Sequence, residues 1–140
     1  MSTEEATIRL GIENGRAKYA YETVEKFVNT NKGLKEYRSY VKKLPSMIQV
    51  NGLGQTLAFC YAKGDQYRDL YQQISGWVNE KQPDLLKRYN QDSKMEFVQI
   101  VITMNSNDYR IISNEVLALL DWMRRFADGM IRDLLPKEKN

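Results

Sequence analysis

The sequence predicts an all-α protein: a single-domain bundle of about six or seven helices, with a long N-terminal and a long C-terminal helix. Three observations predict it. Apolar residues recur at steps of three and four along nearly all of the 140 residues, which is the spacing of one helix face. Only three prolines and eight glycines punctuate the chain, so long regular elements are permitted. The one β-branched run, Val98-Gln99-Ile100-Val101-Ile102-Thr103, has no second strand to pair with. It is therefore expected as a buried helix within Lys94 to Asn105.

In chain order, the first helix is expected from about Glu4 to Val28, with Leu10, Ala17, Ala20, Tyr21, Val24, Phe27 and Val28 as its stripe. Gly11 and Gly15 stand four apart, with Glu13 and Asn14 between them, and are expected to mark a close helix contact in a water-soluble protein. Asn29 to Gly33 reads as a loop. A second helix starts at Leu34 and buries Tyr37, Val41, Leu44 and Ile48, with a kink or restart at Pro45 and an end at Asn51-Gly52. Leu53 to Lys63 forms a short helix with Leu57, Cys60 and Tyr61 inward. After a Gly64-Asp65 turn, Gln66 to Glu80 carries Tyr67, Leu70, Tyr71, Ile74, Trp77 and Val78 on one side. Pro83 suits the first turn of a brief helix through Tyr89, followed by a polar link from Asn90 to Ser93. Ser106 is expected to cap the last helix, whose apolar residues run from Tyr109 through Ile112, Val116, Leu119, Leu120, Met123, Phe126, Ala127 and Met130 to Leu134. One domain spans residues 1–140, with 1–3 and 136–140 as flexible ends.

Composition narrows the chemistry. The chain has no histidine and one cysteine, which excludes an internal disulfide framework, histidine-based zinc sites and Ser-His or Cys-His nucleophiles. No catalytic residue, metal ligand or cofactor site is expected. The carboxylates Glu4-Glu5, Asp65 with Asp69, and Asp84 with Asp92 read as solvated surface groups. Gly52-Leu53-Gly54-Gln55 begins like a dinucleotide loop but has Leu57 where the third glycine belongs, and no strand precedes it. Cys60 lies on the apolar side of its helix and reads as core. The N-terminus is acidic where a signal peptide is basic, and no apolar run approaches membrane length. A lone cysteine fits a reducing interior, so a cytoplasmic protein with no membrane partner is expected.

Charge placement is more informative. Between Lys32 and Lys63 stand six basic residues (Lys32, Lys35, Arg38, Lys42, Lys43, Lys63) and one acid, Glu36; the segment carries +5 and the remainder −2. On a helix, Lys35, Arg38 and Lys42 share a face well away from Tyr37, Val41, Leu44 and Ile48, with Tyr40 on the flank, where it could stack on a base or sugar. Arg16 and Lys18 add further cations. Such a face suits phosphate tracking, and equally a solvated lysine-rich surface. In the last helix, Asp121 with Arg125, Arg124 with Asp128, and Asp128 with Arg132 have the spacing of surface pairs. Trp122 projects from the apolar stripe and is expected as a protein contact.

Four phrases taken together are more specific. They are Gly15-Arg16-Ala17-Lys18-Tyr19-Ala20-Tyr21; Tyr37-x-x-Tyr40-Val41-Lys42-Lys43-Leu44-Pro45; Ile48 to Phe59, with its Asn51-Gly52-Leu53-Gly54 turn, followed by Lys63; and Glu115 to Gly129, with Trp122-Met123-Arg124-Arg125-Phe126-Ala127. In this order, from about residue 8 to 133, the chain resembles the small α-helical subunit of the Cmr complex, the type III-B CRISPR RNA-guided effector. The type III-A small subunit, similar in role and shape, is the neighbouring family.

The resemblance implies a non-catalytic subunit. Copies of it stack into a short filament beside the guide-RNA backbone subunits and the large polymerase-cyclase subunit, where target RNA pairs with CRISPR RNA. It also implies that the family's basic positions fall on Arg16 and Lys18, on Lys42 and Lys43, on Lys63, and on Arg124 and Arg125. Two other classes fit the residues alone: a generic helical protein-interaction adaptor, and a small Mg²⁺ enzyme if Asp65, Asp69 and Asp84 shared one cleft.

Overall fold

The computed structural model describes the backbone of residues 3–136, and the side chains of Glu13 and of residues 15–136. Seven α-helices account for nearly all of it: α1 (Thr3–Val28), α2 (Leu34–Asn51), α3 (Leu53–Lys63), α4 (Asp65–Lys81), α5 (Pro83–Tyr89), α6 (Phe97–Ile102) and α7 (Ser106–Ile131). A single 3₁₀ turn, Arg132–Leu134, follows. No strand occurs among the described residues, and the β-branched run is helical from Val98 to Ile102, in α6. The sequence-based expectations for residues 1, 2 and 137–140, and for the side chains of Glu4, Glu5 and Leu10, lie outside the described residues.

The last helix organises the bundle. α1, α2 and α4 all pack on α7. Its buried residues Ile112, Val116, Leu119, Leu120, Met123, Ala127 and Ile131 have no exposed surface. α2 runs antiparallel to α7. Arg38 near its start meets Asp128, while Gly54 just past its end meets Tyr109 at the opposite end of α7. α3 lies against α2, α4 and α6, and α5 against α4. Tyr37, Leu44, Leu57, Leu70 and Ile74 fill the space between, each at most 1% exposed. Cys60 is in this core, where burial pushes its thiol pKa up to about 12.

The Asn51-Gly52-Leu53-Gly54 turn is shaped by close contact. Gly52 has φ +88°, and a Cβ there would sit 3.0 Å from the Tyr109 hydroxyl. A Cβ on Gly54 would meet Ile102 Cγ2 at 3.2 Å, and its N–H donates to the Tyr109 hydroxyl at 2.9 Å. Both glycines let α2 and α3 meet the start of α7 without a side chain between.

Several local expectations need correcting. α2 does not restart at Pro45: it is one helical run from Leu34 to Asn51, with Val41, Leu44 and Ile48 buried on both sides of the proline. Asn105, not Ser106, caps α7: its extended backbone lets Oδ1 accept from the Asp108 N–H at 2.8 Å, whereas Ser106 is already helical. α6 has six residues, and its last, Ile102, is 64% exposed. Leu134 falls in the 3₁₀ turn and is exposed. Tyr61, expected inward, is on the surface beneath the Arg68 guanidinium, 4.1 Å from its ring centre. Among the described residues nothing lies within 4 Å of a Cβ placed on Gly11, and one on Gly15 would only touch Trp77 at 4.0 Å; α1 and α4 approach more tightly at Gly76, where a Cβ would lie 2.8 Å from the Tyr19 hydroxyl.

Candidate nucleic-acid interface

α2 presents its cations outward because its other side is committed. Leu34, Tyr37, Val41, Leu44 and Ile48 are buried, and Lys35, Arg38 and Lys42 occupy the face this leaves. That face adjoins the C-terminal part of α7, where Asp128 reaches across. The Arg38 guanidinium donates to Asp128 Oδ1 through Nε at 2.9 Å and lies 2.7 Å from it through Nη2. Lys42 Nζ lies 3.1 Å from the same oxygen. Hydrogen bonds from Arg38 and Lys42 hold the Asp128 carboxyl below the usual carboxylate range.

Lys35, Arg38, Ser39 and Lys42, with Leu135, line an open groove of about 290 Å³. Among the described residues no carboxylate lies within ion-pair distance of Lys35 or Lys43. One turn before Asp128, Arg124 and Arg125 both lean on Asp121, at 2.8 and 3.8 Å. The expected pairs of Asp128 with Arg124 and Arg132 do not form, because Asp128 is taken by α2 and Arg132 turns to Asp133.

Aromatic side chains line the next edge. Tyr40 stacks on Tyr67 with centres 3.9 Å apart, and Phe59 meets Tyr67 edge-on at 4.9 Å. Lys43 stands 6.0 Å above the Tyr40 ring. One face of Tyr40 is thus used inside the protein, in a stack that joins α2 to α4. Lys63 is exposed at the last turn of α3.

The structure separates the two N-terminal cations. Lys18 is exposed and faces the groove between α1 and α4, beside Glu22, Glu80 and Lys81. Arg16 is turned inward and only 9% exposed. Its Nε and Nη2 engage the Glu115 carboxylate at 3.1 and 3.0 Å, and Nη1 takes Glu13. This alters the expectation for Arg16, whose three nitrogens all engage carboxylates within the fold.

Both tryptophans join the same cluster. Trp77 Nε1 donates to Glu115 at 2.7 Å, and Trp122 Nε1 donates to Glu13 at 2.5 Å. Trp122 is half-buried and stacks on Phe126 at 5.8 Å. Trp122, expected to project clear of the apolar stripe, is instead half covered and lies over α1. Burial would raise the Glu115 pKa, but hydrogen bonds from Arg16 and Trp77 outweigh it and hold the group below the ordinary range. This five-residue cluster could not be foreseen, because α7 contacts neighbours on several sides and a one-stripe projection puts Trp122 outside.

Asp65 and Asp69 lie close enough to interact: burial and then the Asp65 charge raise the Asp69 pKa. No group of three or more cysteines and carboxylates fit to hold a metal ion occurs among the described residues. No described helix is long and apolar enough to cross a membrane.

Fold and site together define an all-α protein that carries a row of cations along one outward helix. Residues 12–130 match the family of CRISPR-associated proteins Cas_Cmr5. A protein of Thermus thermophilus named CRISPR system Cmr subunit Cmr5 is 29% identical over 118 residues, covering 84% of this chain and 93% of that protein. The chain belongs to the Cmr5 family, the small helical subunit of the Cmr complex. That places it in the Cmr family and not in its type III-A counterpart.

Proposed function

We propose that the chain is the non-catalytic small subunit of a type III-B CRISPR effector. In this reading it stacks with further copies of itself into a minor filament beside the backbone subunits and the large polymerase-cyclase subunit. The α2–α7 face follows the RNA backbone where target RNA pairs with CRISPR RNA. Lys35, Arg38, Lys42 and Lys43 form its centre, with Arg124 and Arg125 on the α7 side and Lys63 as an outlying cation.

The observation that carries the reading is the row of α2 cations held outward by a buried opposite face. Phosphate contacts need cations on a fixed scaffold and are tolerant of sequence, which suits a target chosen by base pairing. Arg16 has no part in this face, and Lys18 stands apart from it. The exposed remainder of Trp122, next to Arg125, is the proposed contact with a neighbouring subunit.

Co-purification with the other Cmr subunits and a guide RNA tests the reading. The chain is expected to enter the complex in more than one copy and to protect bound RNA from nuclease. A complex that assembles and protects RNA equally well without it contradicts the proposal, and so does the finding that the chain partners only proteins outside the complex.

A further inference from the structure

We infer that Asp128 attenuates the RNA-binding face, its carboxylate occupying the seat in which Arg38 and Lys42 would hold a phosphate; this rests on the reading of the face given above. Three donor contacts converge on the single oxygen Oδ1, from Arg38 Nε, Arg38 Nη2 and Lys42 Nζ. A carboxylate oxygen gathered between a guanidinium and an ammonium has the chemistry of a phosphodiester oxygen in the same place. The backbone that carries Asp128 is anchored, because Ala127 and Ile131 on the same helix have no exposed surface.

The seat is nevertheless open to exchange. The Arg38, Lys42 and Asp128 side chains are 25%, 50% and 36% exposed, and their contacts border the groove that Lys35 and Ser39 share. Exposed pairs of this kind are weak, so an RNA phosphate can displace the carboxylate or share the cations with it. Three cations line the groove and Asp128 is the one acid paired with them, so it reduces the groove's pull on RNA without reversing it. Binding is thereby kept moderate, and many copies along a filament would act together without any one trapping the strand.

The test compares wild type, Asp128→Asn, Asp128→Ser and a charge-matched control, Glu25→Gln, which alters an exposed acid on α1. The probe is a labelled single-stranded RNA of mixed sequence, titrated at several salt concentrations, with the denaturation midpoint recorded for each variant. Both Asp128 variants are expected to bind about fivefold more tightly at low salt, with a salt slope steeper by about one, while Glu25→Gln stays near wild type. Asp128→Glu, which restores the charge, should return affinity to the wild-type value.

Equal tightening by Glu25→Gln overturns the inference, because net charge alone then accounts for the gain. Wild-type binding that both Asp128 variants leave unchanged or weaken also overturns it, while the proposed RNA-binding role stands. If no variant binds RNA at any salt concentration, both fail.

Discussion

Arg16 and Arg38 each meet a carboxylate on α7, and their settings give them opposite consequences. Arg16 is 10% exposed in its side chain, grips Glu115 with two nitrogens, and shares its cluster with Glu13 and both tryptophans. Arg38 is 25% exposed, meets one oxygen of Asp128, and shares that oxygen with a half-exposed lysine. The first arrangement leaves almost no donor for anything outside the fold. The second leaves cations at the surface in a defined row. Burial, not residue type, separates an arginine that holds helices together from one left open to an outside partner, RNA in the reading proposed above.

The largest expected effect breaks the buried pair. Arg16→Ala strands Glu115, 13% exposed in its side chain, without its cation. Unfolding by urea should show a loss of about 3 kcal/mol, in the range for removing one partner of a buried pair. Loss of less than about 1 kcal/mol would place Arg16 among the surface pairs after all.

The same cluster gives a pH signature. The folded Glu115 pKa is depressed below its ordinary 4.5, so its stabilising contribution is complete above that value and is lost as the pH falls through the lower folded one. The drop in denaturation midpoint between neutral and acid pH should therefore be smaller in Glu115→Gln than in wild type. An equal drop would assign the acid sensitivity to other carboxylates.

Trp122→Phe sharpens the contrast at an intermediate scale. The ring can still stack on Phe126, but the hydrogen bond to Glu13 is gone. The expected cost is about 1 kcal/mol, typical of one hydrogen bond. Since the ring also keeps its partial exposure, assembly into the complex should change little in this variant and more in Trp122→Ala. The smallest stability effect belongs to Arg38→Ala, at less than about 1 kcal/mol because water screens the pair. A change as large as that of Arg16→Ala would erase the distinction between the two sites.

Much of this was legible in the sequence. The helical spacing of Tyr37, Val41, Leu44 and Ile48 located the α2 core face, and by subtraction the outward row of Lys35, Arg38 and Lys42. Pro83 fixed the start of α5. What escaped was information carried between helices. Arg16 and Lys18 are two residues apart, so they point in different directions once α1 is packed, and only the position of Glu115 on α7 decides which turns inward. Asp128 looked like a partner for Arg124 or Arg132 on its own helix, because same-helix spacing is visible in a sequence and an α2 neighbour 90 residues away is not. Trp122 looked exposed because a single stripe was assigned to a helix that packs against α1, α2 and α4.

The central claim is that the α2–α7 face meets RNA and does not hold the fold together. Its most direct test is the salt dependence of single-stranded RNA binding by wild type and by the double variant Lys42→Gln/Lys43→Gln. The slope of log affinity against log salt should flatten by about one to two while the denaturation midpoint stays close to wild type. An unchanged slope and affinity in a folded double variant would contradict it.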